Sequence, residues 1–338
     1  MKLTHKLALA SALALIAAGA AHAEPFRMIV TDLEPPLVPN SIIDFAVAGG
    51  YFTEEGVELE LVRVEQTPSA LAAIQAGAGE MANISVDGLL QLVANGADDL
   101  RAVLTPNKAL PYQIIGKEEI ASLADIAGHS FGVGRVGSLD YSLSMNVLST
   151  NGVDTNAVEV VALGQPAVRA QALSAGQVDA TTVSLGIWLS LPDRTGLHII
   201  TNVDDFYAAA PVVNKVNIVT LETLENRQAE VDGITRAIIR ASRDVAENSQ
   251  LWVDFMTTAR PDVSADTLEQ LAAAFTTSWS VNGGLSADEL NFTANWAYQT
   301  EEFQGVREVT LAEWVDFGPI DRALETLGTS DISDAVTR

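Results

Sequence analysis

Short apolar runs alternate with amphipathic segments along most of the chain before residue 220. The first series predicts strands at 26–31, 57–62, 81–85 and 100–104, with helices at 41–50 and 67–77. A second series predicts strands at 130–134, 158–163, 179–184 and 198–200, with helices at 139–150 and from Pro166. Strands that alternate with helices in this way are typical of mostly parallel sheets flanked by helices. The pattern therefore predicts two α/β units.

The two units share a repeated arrangement of glycine, an acid and a serine. In each copy an alanine-rich helix opens near a proline and ends at glycine, an acid follows, and a serine ends the next strand. The copies consist of Gly77, Glu80 and Ser85, and of Gly176, Asp179 and Ser184. Thr67 is predicted to cap the first of these helices. The repeat predicts twin halves that each present a hydroxyl to a ligand at a strand end, although chance recurrence in an alanine-rich chain is the alternative.

Two apolar, extended segments, 112–116 and 212–219, lie at the borders of the second unit. Two crossings imply that the second unit is inserted into the first. We therefore expect lobe 1 to contain residues 24–112 and 213–338, and lobe 2 to contain residues 113–212. Beyond residue 220 the pattern is helical, with further helices near 265–278 and 286–302, and these helices are expected to complete lobe 1.

The beginning of the sequence has the pattern of a secretory signal peptide. Lys2 and Lys6 precede an uncharged run from 7 to 21, and Ala21-His22-Ala23 is a small-x-small cleavage signal. Residues 1–23 are therefore predicted to be removed after Ala23, so we expect the mature protein to be exported. An uncleaved membrane anchor is the rival interpretation, but it requires about 20 apolar residues and this run is shorter.

Composition narrows the possible functions. The formal charge is −25, and it becomes −27 when the two lysines of the signal segment are removed. A field of that sign repels phosphate backbones and anionic lipids, so it argues against nucleic-acid binding and membrane attachment. The sequence contains no cysteine. This excludes disulfides, thiolate metal sites, a cysteine nucleophile and a lipid-modified cysteine.

Several segments resemble one protein family in their order and spacing. They are Gly49-Gly50-Tyr51-Phe52, Glu55-Gly56-Val57, 73–77, 122–128 and 172–180. The chain is similar to the periplasmic substrate-binding proteins of ABC importers, in the nitrate/sulfonate/taurine branch that also contains binders of the thiamine pyrimidine precursor. The resemblance implies a type II periplasmic-binding-protein fold: two lobes, each a mostly parallel sheet flanked by helices, joined by two hinge strands. It also implies a monomer that closes on a small solute and docks on a membrane permease.

Candidate ligand contacts are the polar residues at predicted strand ends and helix starts. Those of lobe 1 are Asp32, Glu34, Thr67, Ser85, Asp87 and Asn107, and those of lobe 2 are Arg135, Gly137, Ser138, Gln165 and Ser184. Gly137 and Ser138 offer donors at a helix start and Arg135 adds a forked cation, which together suit a sulfonate or carboxylate. Acids on the facing lobe suit an ammonium group, so a taurine-like zwitterion is the sharpest hypothesis. The structural alternative is that the acids cap turns or face solvent and that Ser138 caps its helix.

No catalytic or metal-binding pattern is present, so we predict no enzymatic activity and no cofactor. Beyond the signal segment only His129 and His198 remain, and neither has metal-ligand spacing. No G-x-S-x-G motif occurs. Two alternatives to sulfonate import stay open: binding of a thiamine pyrimidine precursor or another small nitrogenous metabolite, and a solute-sensing adaptor for a receptor. The receptor of a tripartite transporter is disfavoured by the short alternating strands.

Overall fold

The computed structural model describes residues 24–106, 111–210, 212–276, 278–332, 334 and 336–338. The predicted signal peptide, residues 1–23, and the candidate ligand contact Asn107 lie outside the described residues. No helix in these ranges is both long and apolar enough to cross a membrane.

The strands form two five-stranded sheets. They are β1 (Phe26–Val30), β2 (Leu59–Arg63), β3 (Met81–Ser85), β4 (Leu100–Leu104), β5 (Tyr112–Lys117), β6 (Ser130–Val133), β7 (Glu159–Ala162), β8 (Ala180–Ser184), β9 (Leu197–Thr201) and β10 (Lys215–Thr220). Their bounds agree with the apolar runs of the sequence to within three residues.

The α-helices lie in both lobes. Those of lobe 1 follow strands of the first sheet or form the tail of the chain. In chain order the helices are α1 (Ile42–Ala48), α2 (Tyr51–Glu54), α3 (Thr67–Gln75), α4 (Val86–Ala94), α5 (Leu139–Thr150), α6 (Pro166–Ser174), α7 (Leu185–Ser190), α8 (Val203–Ala209), α9 (Leu221–Asn226), α10 (Gln228–Glu247), α11 (Gln250–Ala259), α12 (Ala265–Ala274), α13 (Ala287–Ala297), α14 (Leu311–Trp314) and α15 (Gly318–Leu327). Of these, α5 to α8 belong to lobe 2.

The two sheets have the same strand order. Sheet 1 runs β2-β1-β3-β10-β4 and sheet 2 runs β7-β6-β8-β5-β9. In sheet 1, β1 is parallel to β2 and β3 while β10 is antiparallel to β3 and β4. In sheet 2, β6 is parallel to β7 and β8 while β5 is antiparallel to β8 and β9. The predicted two-lobe α/β fold with mostly parallel sheets is confirmed.

The crossing segments become central strands of the lobes that they enter. The first crossing ends in β5, which lies between β8 and β9 of sheet 2. The return crossing ends in β10, which lies between β3 and β4 of sheet 1. Each crossing strand therefore contributes two ladders of hydrogen bonds to its sheet.

Burial differs between the lobes. Sheet 1 and the tail helices share one continuous core, in which Trp252, Phe275 and Trp279 pack edge to face or tilted at centroid distances of 5.6–6.2 Å. Sheet 2 has a separate core on each face, one around Phe131 and one around Leu173. The tail helices thus pack into the same core as sheet 1.

Candidate functional site

The carboxyl ends of the parallel strands bring most of the candidate contacts to the edges where the lobes meet. Asp32 and Glu34 follow β1, and Asp87 lies in the first turn of α4. Arg135, Gly137 and Ser138 lie between β6 and α5, Gln165 immediately precedes α6, and Ser85 and Ser184 end β3 and β8. These positions follow from the strand order, because the parallel strands of each sheet end at the same edge.

A small cavity lies between the lobes. Its lining residues come from the start of α4, the start of α5, the return crossing and the tail: Val86, Asp87, Leu139, Ser142, Val212, Val213, Asn214, Thr293, Trp296, Ala297, Thr300, Glu302 and Phe303. The cavity volume is about 20 Å³, which is room for roughly one water molecule. The lobes are therefore closed on this cavity.

Two polar atoms of the cavity residues are buried without a partner. The Oδ1 atom of Asp87 and the Nε1 atom of Trp296 are fully buried, and neither makes a hydrogen bond within the described part of the chain. A buried unpaired carboxylate oxygen or ring N–H costs free energy that a ligand or an ordered water can recover. Trp296 was not among the candidate residues, yet it lines the cavity between the lobes.

An ion pair joins the two lobes beside this cavity. Arg135 Nη1 of lobe 2 lies 2.9 Å from Glu302 Oε1 of lobe 1, and the Arg135 side chain is 65% exposed. Gly137 has a φ of +77°, and a Cβ atom there would overlap the Glu302 carboxylate. The turn that was predicted to receive an anionic ligand therefore holds a carboxylate of the protein itself.

Ser138 is engaged within its own turn. Its hydroxyl lies 2.7 Å from the carbonyl oxygen of Arg135 and 2.6 Å from Asp140 Oδ1. Ser138 occupies the N-cap position of α5, but its side chain makes no capping bond to the helix, so the structural alternative of a capping side chain does not apply. The backbone N–H of Gly134 donates to Asp140 Oδ2 at 2.7 Å, which fixes the shape of the turn.

Arg169 supports this turn from beneath. The side chain is 2% exposed and lies 3.4 Å from Asp140 Oδ2. It donates to the carbonyl oxygens of Gly164 and Thr182 at 2.7 and 2.9 Å. Sequence reasoning missed Asp140 and Arg169. The available signal was a single charged residue, Arg169, within the alanine-rich helix α6.

The acids after β1 have protein partners. Asp32 Oδ2 accepts from Asn40 at 3.0 Å and lies 3.4 Å from Lys215 Nζ. Glu34 is 66% exposed and lies 3.3 Å from Arg260. The alternative that these two acids stabilise turns is therefore the better account of their contacts. Lys215, the first residue of β10, was not among the candidate residues.

The remaining candidates differ in their surroundings. The backbone N–H of Ser85 donates to Thr67 Oγ1 at 3.2 Å. The N-cap position of α3 is Gln66, whose side chain makes no capping bond, so the prediction that Thr67 is the cap is wrong. The physical reason is that Thr67 already lies inside the first turn. The Ser184 hydroxyl accepts a capping bond from Ile187 N at 3.4 Å. Gln165 is exposed.

Tyr112 lies at the start of β5, near the charged groups of the cleft. Its ring packs edge to face on Phe206 at 5.7 Å. Burial raises the pKa of Tyr112, and the nearby Asp140 carboxylate raises it further. The phenol therefore stays protonated at neutral pH and can donate a hydrogen bond.

The described ranges contain no group of three or more acids and histidines that could hold a metal ion. His129 Nδ1 lies 3.5 Å from Asp179 Oδ2, and His198 Nε2 lies 2.8 Å from the carbonyl oxygen of Ile120. Both histidines therefore have structural partners.

Solved structures with the same fold include solute-binding proteins. The periplasmic sulfonate-binding protein SsuA of Methylobacillus flagellatus is 16% identical with a TM-score of 0.72, over 93% of this chain and 98% of that chain. The alkanesulfonate-binding protein SsuA of Xanthomonas axonopodis pv. citri, bound to MOPS, is 17% identical with a TM-score of 0.68, over 88% and 99%. The desulfurization enzyme DSZB is 16% identical with a TM-score of 0.66, over 89% and 99%. At these identities the likeness shows the fold alone.

The sequence itself identifies the family. No curated protein matches the chain, but the family described as NMT1/THI5 like matches residues 41–250, which is more than half of the chain. The match includes most of the segments on which the resemblance to periplasmic substrate-binding proteins was based, and that resemblance is confirmed. The chain belongs to the NMT1/THI5-like family.

Proposed function

We propose that this protein is the periplasmic solute-binding component of an ABC importer, which binds its solute by closure of two lobes. The observation that carries the proposal is the cavity between the lobes, where Asp87 has a buried oxygen without a partner. A ligand that contacts both faces of such a cleft shifts the equilibrium toward closure. The cores support a lobe boundary at 212/213, because Val212 belongs to a core of sheet 2 and Val213 to the core of sheet 1. The proposal keeps the other boundary near 112/113, where β5 begins with Tyr112, and includes removal of residues 1–23 on export. Docking on a permease as a monomer is part of the same proposal.

The charges of the cleft favour a solute that carries an amino group. The basic side chains near the cleft already have acidic partners: Arg135 has Glu302, Arg169 has Asp140, and Lys215 has Asp32. In contrast, Asp87 has an unsatisfied carboxylate oxygen. An ammonium group can satisfy that oxygen with a charge-assisted hydrogen bond. Among sulfonates and other small organic anions, a taurine-like zwitterion therefore suits the cleft better than a plain anion.

A flat nitrogenous ring is the second candidate. Trp296 and Phe303 line the same cavity as Asp87. Aromatic side chains beside a carboxylate suit the face and the amino group of an aminopyrimidine. A thiamine pyrimidine precursor is the ligand of this class.

We propose binding without chemical conversion. The fold is shared with an enzyme, DSZB, so the fold itself does not decide the point. The two histidines of the described chain interact with Asp179 and with a backbone carbonyl. Neither lines the cavity between the lobes, so neither is placed to act as a general base on a bound solute.

A thermal-shift screen of taurine, ethanesulfonate, nitrate, amino acids and aminopyrimidines tests the proposal. A ligand at a hundred times its Kd stabilises the folded state by about 2.7 kcal/mol, which raises the Tm by roughly 2–4 °C for a protein of this size. We expect taurine-like or aminopyrimidine compounds to stabilise the protein more than ethanesulfonate. Stabilisation by plain anions alone would contradict the proposed ligand class.

Asp87→Asn is the decisive variant in that screen. Loss of the charge should abolish most of the stabilisation by amino compounds, because a neutral amide oxygen accepts a weaker hydrogen bond from an ammonium group than a carboxylate does. Asp98→Asn makes the same change at an exposed position and should respond to ligand like the unaltered protein. Equal responses from both variants would remove Asp87 from the binding site.

A further inference from the structure

We propose that Glu302 is a specificity-determining residue that acts as a tethered competitor for anionic solutes. In the closed structure its carboxylate occupies the place beside Arg135 that the anionic group of a solute would take. Binding then exchanges the contact between Arg135 and Glu302 for a contact between Arg135 and the solute. This inference rests on the proposed solute-binding function.

The position of Glu302 is held by its neighbour. Glu302 lies in the short 3-10 turn Glu301–Phe303, and Phe303 is 3% exposed in the core of lobe 1. The Phe303 ring packs edge to face on Tyr298 at a centroid distance of 5.3 Å. The buried ring anchors the turn in lobe 1, so the carboxylate of Glu302 is presented to lobe 2.

The receiving turn fits a carboxylate closely. Arg135 Nη1 lies 2.9 Å from Glu302 Oε1, and the same oxygen lies against the Cα atom of Gly137 on the side where any other residue has its Cβ atom. A glycine at this position is what lets an oxygen anion approach the backbone. The approach is open to a sulfonate or carboxylate of a solute once Glu302 withdraws.

The ion pair is of a kind that can be exchanged. The Arg135 side chain is 65% exposed and that of Glu302 is 25% exposed, and exposed ion pairs contribute little net stability. The cavity beside the pair is lined by Asp87 and Glu302 and by no basic residue within the described chain. A plain anion that enters must therefore displace Glu302 from Arg135. It then lies near two carboxylates, those of Asp87 and Glu302, which repel it.

The Arg135–Glu302 ion pair therefore makes the protein prefer zwitterions to plain anions. Without solute, the Arg135–Glu302 pair contributes to closure of the lobes. A zwitterion can displace Glu302 from Arg135 and satisfy Asp87 with its ammonium group. An anion without an amino group loses the second contact and meets the repulsion of both acids.

Glu302→Gln tests this role because it removes the charge and keeps the size of the side chain. Glu301→Gln is the matched control, since it makes the same change in the same turn at an exposed residue. Isothermal titration with ethanesulfonate should give a Kd that is roughly three- to tenfold lower in Glu302→Gln than in the unaltered protein. Glu301→Gln should leave the Kd unchanged, and the Tm without ligand should be similar in all three proteins.

The closed lobes give a second measurement that needs no ligand. Small-angle X-ray scattering of the unliganded proteins should show a larger radius of gyration for Glu302→Gln than for Glu301→Gln. If Glu302→Gln changes neither the ethanesulfonate affinity nor the radius of gyration, the role assigned to Glu302 is wrong even though the protein binds solutes. If the radius of gyration changes but no solute in the screen binds any of the proteins, the proposed solute-binding function is wrong. The contact between the lobes through Arg135 and Glu302 is then still supported.

Discussion

The two lobes share a strand order and differ in the support around it. Sheet 1 lies in one continuous core with the tail helices, whereas sheet 2 has two smaller cores, one on each face. The unit that the lobes have in common is therefore the sheet and its connecting loops. The aromatic cluster around Trp252 belongs to lobe 1 alone.

The acids of the repeat, Glu80 and Asp179, accept equivalent hydrogen bonds in the two lobes. In lobe 1, Glu80 Oε2 accepts the backbone N–H of Arg27 at 2.7 Å. In lobe 2, Asp179 Oδ2 accepts the backbone N–H of Ser130 at 3.0 Å. Glu80 thus fastens the residue before β3 to the neighbouring strand β1, and Asp179 fastens the residue before β8 to the neighbouring strand β6. The acids of the repeat are therefore structural and lie away from the cleft, at the amino ends of β3 and β8, whereas Ser85 and Ser184 end these strands on the side of the cleft.

The largest expected effect is the loss of stability when a buried ring is removed from the core of either lobe. Trp252→Ala removes a fully buried ring and the bond from its Nε1 to Ser41 Oγ, and Phe131→Ala removes a fully buried ring from lobe 2. Each should lower the free energy of unfolding by about 3–5 kcal/mol, because a cavity is left behind. Urea unfolding followed by circular dichroism measures the loss.

Hydrogen exchange then shows which lobe is affected. We expect Trp252→Ala to lower amide protection in lobe 1 and Phe131→Ala to lower it in lobe 2. Loss of protection in both lobes from either variant would show that the cores unfold as one unit. That result would contradict the distinction between the cores of the two lobes.

The next effect compares the repeated acids. Asp179→Asn loses the charge that accepts bonds from Ser130 and from Lys117 Nζ at 2.6 Å, and we expect a loss of about 1.5–3 kcal/mol at pH 7. Glu80→Gln should cost a similar amount, since Arg27 provides both its backbone and its side-chain donors. Chemical denaturation of both variants provides the comparison, and a difference of several-fold would mean that the acids are not equivalent.

The pH dependence has a defined sign. Burial raises the pKa of Asp179, but the bonds from Lys117 and Ser130 outweigh it and hold the pKa well below its ordinary value of 3.8. Burial likewise opposes the bonds from Arg27, which lower the pKa of Glu80 below 4.5. Both carboxylates therefore stabilise the fold fully above these ordinary values, and the contribution is lost as the pH falls through the lower folded values. Denaturation at pH 3 should show a smaller difference between Asp179→Asn and the unaltered protein than at pH 7.

The smallest effect concerns the two serines of the repeat. The Ser184 hydroxyl caps α7 through a long bond to Ile187 N, whereas the Ser85 side chain makes no capping bond to α4. Ser184→Ala should cost about 0.5–1 kcal/mol and Ser85→Ala less. Differential scanning calorimetry can resolve the difference, and a larger loss for Ser85→Ala would reverse the assignment of the cap.

Local signals predict the elements well and the contacts of the cleft poorly. The helix α5 was predicted at 139–150 and is found there, because its start follows a glycine turn and its end precedes Gly152. The two crossings were predicted from apolar extended segments. In contrast, the partners Arg135 and Glu302 are separated by 167 positions. No periodicity or capping rule links residues so far apart, and only the packing of the tail on the opposite lobe brings them together.

The way in which the chain returns to sheet 1 sets an order for assembly. Strand β4 is joined to the rest of its sheet through β10, which lies later in the sequence than all of sheet 2. A growing polypeptide has every strand of sheet 2 before it has β10, which connects β4 to the rest of sheet 1. Lobe 2 can therefore be completed while lobe 1 still lacks β10, the strand that connects β4 to the rest of its sheet.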